Sequence, residues 1–166
     1  MMTLVRRLAA DSRASAAAEM ALVMPFLLIL MFGSVELGNY FLSEHAVQKG
    51  VRDASRYASR LPISDYPDCD ETADARLRIR RVARTGTPNG TVARVQGWTD
   101  AVTDVEVECD TTGTHGGIYT VYPFPDGVPT ITVKAAVPYY SLFGTLGLGD
   151  PALTLNAESH AAIFAQ

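Results

Sequence analysis

Ala14-Ser15-Ala16-Ala17-Ala18-Glu19-Met20-Ala21-Leu22-Val23-Met24-Pro25-Phe26-Leu27-Leu28-Ile29-Leu30-Met31-Phe32-Gly33 is the stretch that decides the fold. From Met20 to Val35 no side chain is charged. A spanning helix needs about 20 mainly apolar residues. Ser15 to Val35 supplies them with one charge, Glu19, near the start; Met20, Leu22, Phe26, Leu30, Phe32 and Val35 mark the span. Arg6, Arg7 and Arg13 against Asp11 make the preceding segment net positive, whereas Glu36, Asn39 and Glu44 follow the span. Basic flanks stay cytoplasmic, so the N-terminus is expected inside and the larger part of the chain outside.

A removed secretory signal is the competing reading. Such signals carry their small-residue cleavage site after the apolar core. Here the small run Ala14 to Ala18 precedes the core, and Ser34-Val35-Glu36-Leu37-Gly38 is a poor site. Glu19 is the most informative single residue, because an acidic group at the hydrocarbon edge is costly unless partnered. A cut between Ala14 and Ser15 would make Glu19 the fifth residue of the mature chain. The new α-amino group would then lie four residues from a carboxylate. In a bundle of such helices, a neighbour's amine could pair with that carboxylate and fix the axial stagger. The plainer reading is that Glu19 sits among headgroups.

A basic leader, small residues, Glu19 and an apolar helix resemble a type IV prepilin. Ala18-Glu19-Met20-Ala21-Leu22-Val23-Met24-Pro25-Phe26-Leu27-Leu28, then Phe32-Gly33-Ser34-Val35-Glu36-Leu37-Gly38 and Val51-Arg52-Asp53-Ala54-Ser55-Arg56-Tyr57-Ala58, resemble the TadE-like pseudopilins of tight-adherence pilus systems. The resemblance implies processing by a prepilin peptidase at Ala14 and Ser15 and a role in pilus biogenesis. It also implies assembly through the helix that bears Glu19, beside other pilins or pseudopilins and the inner-membrane pilus assembly machinery. Pro25 removes one backbone hydrogen bond within the span: it is either a local kink or melting that helps assembly in a filament, or a tolerated membrane proline. The departure is Ala14, where the family usually has glycine before the cut.

The helical pattern continues past the span. Leu37, Val51 and Ala58 share one seven-residue row, interrupted by Glu44; Tyr40, Val47, Ala54 and Leu61 share the next. Together they form an apolar stripe, with Lys49–Asp53 and Asp53–Arg56 as helical pairs. Pro62 stops the helix. The organisation expected is a leader over 1–14, a long helix over 15–61 and an extracytoplasmic α+β head over 62–166. The helix is membrane-spanning to about residue 40, then amphipathic, and about 70 Å long.

In the head, a second helix is predicted from near Asp70 to Thr85, with Ala73, Leu77, the stem of Arg80 and Ala83 inward. Its arginines, Arg76, Arg78, Arg80, Arg81 and Arg84, form either a solvated face or a site for an acidic partner. Val105, Val107 and Cys109 alternate with Asp104, Glu106, Glu108 and Asp110, the pattern of a half-buried strand. Ile131 to Val137 and about 152–164 read as further strands. A short strand near 117–122 and a loop over 139–151 complete the head. Helices followed by strands argue an α+β fold, with an antiparallel sheet packed on the upper long helix.

Cys69 and Cys109 lie after the span. Outside the cytoplasm they can form a disulfide; otherwise they are two unpaired thiols. The net charge of −4 argues against nucleic-acid binding. His45, His115 and His160 show no metal or triad spacing. The acidic strand residues make a row rather than a calcium cage, and Asn89-Gly90-Thr91 reads as a turn. No cofactor, metal or catalytic constellation is expected. The leading reading is therefore an assembling pilus subunit in the lipid bilayer. The alternative is a permanently anchored single-span envelope protein whose head binds another secretion or pilus component.

Overall fold

The computed structural model describes residues 12–110, 128–145 and 153–163. The chain divides into two compact units, Met1–Asn39 and Tyr40–Gln166. Helix α1 (Ser12–Ala58) supplies the described part of the first unit and continues into the second. It ends three residues before the expected boundary. Arg60 and Leu61 bond back three residues, to Tyr57 and Ala58. This tighter turn precedes Pro62, whose ψ of 148° is extended.

In the second unit the apolar stripe of α1 is the floor of the core. Val47, Val51, Ala54 and Ala58 are fully buried and Leu61 nearly so, with Tyr40 packed alongside. Leu37 does not join them and is exposed. Asp53 pairs with Lys49 at 3.7 Å, as its spacing predicts, but its second cation is Arg94 at 2.9 Å rather than Arg56.

Helix α2 (Ala73–Thr85) begins later than its acidic approach suggests, because Thr72 is the cap. The Thr72 hydroxyl accepts from the Ala75 amide, one of the donors that a helix start leaves without a partner. Gly86, at φ +92°, closes the helix by donating its amide to the Val82 carbonyl. The inward residues are Ala75, Ile79, Val82 and Ala83, while Ala73 and Leu77 are exposed. Positions 75, 79, 82 and 83 follow the i, i+4, i+7 rhythm of one face, and Leu77 lies two residues off it.

Strands β1 (Thr103–Asp110), β2 (Val128–Pro138) and β3 (Thr154–Ala162) form one antiparallel sheet in the order β1-β2-β3. Val105 pairs with Val133, and Val133 with Ser159. Val105, Ile131, Val133, Ala135, Val137 and Leu155 are buried, as their alternation predicts. The sheet packs on α1: Ser55 Oγ and Ser159 Oγ are 2.9 Å apart. Part of the expected 139–151 loop is a one-turn helix, α3 (Leu142–Thr145). The strand expected near 117–122 and His115 lie outside the described residues.

Candidate membrane and assembly segment

Glu19, Met20, Leu22, Phe26, Leu30, Phe32 and Val35 are all exposed. An 18-residue window of α1 has a mean hydropathy of 2.1, and none of it is buried. An exposed apolar run of this size is unfavourable in water, so it needs a lipid or protein environment. The helix is long and apolar enough to cross a membrane once.

Ala14 and Ser15 lie within α1, so residues 14 to 19 belong to one helical run. Ser15 and Glu19 are four residues apart, on one helix face and about 6 Å apart along the axis. Pro25 also lies inside α1, and the helix continues through it. Proline has no amide hydrogen, so the Ala21 carbonyl loses the bond that residue 25 would donate.

Among its described residues the head offers little reactive chemistry. Arg76, Arg78 and Arg84 of α2 meet carboxylates within the fold. Arg76 bonds Glu71, Arg78 meets Asp65 at 2.8 Å and Asp74 at 2.9 Å, and Arg84 meets Asp100 at 2.9 Å. The bond to Glu71, with its charge, holds Arg76 above the ordinary arginine range. On the sheet, Asp104, Lys134 and Glu158 align across the three strands. Lys134 bonds Glu106 at 2.6 Å, which raises its pKa, and Arg80 lies 3.8 Å from Asp104. Arg80, Asp104, Lys134 and Glu158 line an open groove of about 690 Å³, where cations and anions largely match one another. His160 meets the Thr132 hydroxyl at 2.8 Å. Among the described residues, no group of three or more His, Cys, Asp or Glu could hold a metal ion.

Several residues fix the head in ways the sequence pattern does not announce. The buried Tyr66 hydroxyl donates to the Ala58 carbonyl at 2.6 Å, closing the end of α1. Burial first, then the charges of Asp65 and Glu71, push its pKa well up. The buried Trp98 donates to Thr103 at 2.8 Å. Gly50 lets α1 approach α2, because a Cβ there would lie 2.4 Å from the Ala83 carbonyl oxygen and 2.5 Å from Trp98. Cys69 and Cys109 form a disulfide with Cα atoms 5.9 Å apart. Cys69 is carried there by a left-handed turn, with Asp68 at φ 53° and Cys69 at φ 59°. Asn89 and Gly90 lie in the expected turn, where the Gly90 amide donates to Thr87.

With the span, Glu19 and the amphipathic continuation placed on one helix, comparison with known families is informative. Residues 14–56 match the TadE-like protein family. The match covers about a quarter of the chain, and it falls on the residues that carry the sequence resemblance. It is consistent with a TadE-like pilus protein. Neither a curated protein nor a solved structure matches the chain. The TadE-like segment includes Glu19, Pro25 and the whole span. It extends through Val47, Val51 and Ala54, which build the core of the second unit.

Proposed function

We propose that this protein is a minor pilin or pseudopilin of a tight-adherence pilus, and that its role is structural rather than catalytic. The observation that carries this reading is the TadE-like match over a helix whose first half is apolar and exposed. In this account a prepilin peptidase cuts between Ala14 and Ser15. The cut removes the basic segment and creates an α-amino group on the helix that bears Glu19. The mature helix then leaves the bilayer sideways into a bundle of other pilin helices. A neighbour's amine meets Glu19 there, where low dielectric strengthens the attraction. The N-terminus starts in the cytoplasm and the head on the far side of the inner membrane, as Arg6, Arg7 and Arg13 favour. The Cys69–Cys109 disulfide supports an oxidising compartment for the head.

Glu19→Ala tests this reading. It is expected to leave membrane insertion unchanged and to reduce pilus assembly strongly. Normal piliation by the variant would remove Glu19 from the assembly mechanism.

A further inference from the structure

The second unit has exposed apolar residues that its own core does not use. Phe41 is 49% exposed, Leu42 73%, Tyr140 44%, Leu142 43% and Leu153 48%. No charged residue occurs from Leu37 to Ser43 or from Tyr139 to Thr145. The two stretches are joined through aromatic rings. Tyr139 meets Tyr40 edge-on, with centroids 5.2 Å apart, and Tyr40 meets Phe41 at 5.8 Å. The Tyr139 amide donates to the Leu153 carbonyl at 2.9 Å, which brings Leu153 to the same place. Leu142 follows Tyr139 by three residues, so its Cα lies within about 10 Å.

We propose that this surface of the Tyr40–Gln166 unit rests in the headgroup boundary of a phospholipid bilayer. The inference rests on the reading of the preceding apolar helix as a membrane span. Three observations favour lipid as the occupant. The surface begins at Tyr40, close to where the membrane-spanning part is expected to end, so Phe41 and Leu42 add exposed apolar side chains just past Glu36 and Asn39. Tyrosines with an apolar body and a polar tip are the residues that settle at this boundary. The backbone at the tip is also served internally: Ser141 Oγ accepts from the Phe143 amide at 3.1 Å and the Gly144 amide at 3.3 Å. Such satisfaction lets α3 approach a low-dielectric region without stranding donors.

Spin-label depth measurement tests the proposal on the full chain, in vesicles of phosphatidylcholine and phosphatidylglycerol. Both native cysteines are held in the disulfide, so a single introduced thiol is labelled selectively. Labels are placed by Leu142→Cys and Leu153→Cys, with Val92→Cys as a water reference and Leu28→Cys as a span reference. Unchanged Trp98 emission confirms that each variant folds. Labels at 142 and 153 are expected to lose most of the collisions with an aqueous nickel reagent seen at 92, and to gain collisions with oxygen. If the label at 28 is in lipid while those at 142 and 153 match 92, the proposal is overturned. If the label at 28 also matches 92, the span reading fails and the proposal falls with it. Spectral broadening at 142 that disappears on dilution with unlabelled protein would assign the surface to a second copy, and would also overturn the proposal.

Discussion

Gly50→Ala sets two effects of opposite sign against each other. In a helix interior, replacing glycine by alanine contributes about 1 kcal/mol through backbone entropy. The added methyl must also fit between α1 and α2. Its nearest neighbours would be the Ala83 carbonyl oxygen at 2.4 Å and the Trp98 ring at 2.5 Å. Carbon contacts are comfortable near 3.5 Å, so the elements must separate by about 1 Å. Neither neighbour is the end of a flexible chain: one is backbone, and the other is a buried indole held by Thr103. Overpacking of this kind costs typically 1–3 kcal/mol, and rigid neighbours place it at the upper end. The net expectation is a loss of about 1–2 kcal/mol. For a domain of this size that is a fall of about 4–8 °C in the thermal midpoint. Trp98 is the only tryptophan in the chain and lies at the contact, so its emission reports the transition and should shift to the red. Gly38→Ala is the control, because a Cβ there meets nothing within 4 Å. A Gly50→Ala protein as stable as the parent, or more stable, would refute the close approach of the two helices.

Tyr66→Phe should cost about 1–2 kcal/mol at neutral pH, since the buried Ala58 carbonyl loses its donor. The parent should also weaken in alkali. Its folded-state phenol has a raised pKa, so its contribution is complete below the unfolded value near 10. That contribution falls by about 1.4 kcal/mol per pH unit above that value. Urea midpoints between pH 8 and 11 should show this fall, and Tyr66→Phe should show less of it; equal slopes would count against the assignment. Replacing Cys69 and Cys109 together by alanine should lower stability by about 4 kcal/mol in the chain-entropy account, given their separation of 40 residues. Two freely labelled thiols in folded parent protein would contradict the bridge itself.

The strands were legible because their burial has a period of two. Ile131, Val133, Ala135 and Val137 alternate with polar or small neighbours, and the sheet buries that set. The long helix was legible from its charge-free run and from the stripe through Val47, Val51, Ala54 and Ala58. The buried face of α2 was only partly legible: Ala83 is inward as expected, but Ala75, Ile79 and Val82 take the places expected of Ala73 and Leu77. Ile79 stands between Arg78 and Arg80, so the pattern looks polar, and Leu77 draws the eye to the wrong side. What decides the face is pairing of the arginines with Asp65, Glu71 and Asp74. Two of those carboxylates lie upstream of the helix, beyond the reach of any helical periodicity. Gly50, Tyr66 and Trp98 were missed for a related reason. Gly50 and Trp98 act at a close approach between segments distant in sequence, and Tyr66 reaches back eight residues to Ala58 across the break at Pro62; no helical or strand period encodes either. In the candidate assembly segment, the positions of Glu19 and Pro25 on a continuous helix were legible. The proposed cleavage between Ala14 and Ser15 would be a chemical event, of which a helix backbone carries no mark.

The central claim is that this chain is processed and then assembles through its N-terminal helix. Mass spectrometry of the mature N-terminus, on protein recovered from membranes, tests it most directly. The account predicts a chain beginning at Ser15, with Glu19 fifth. An intact Met1 terminus, or a terminus near residue 38 left by ordinary signal removal, would contradict it.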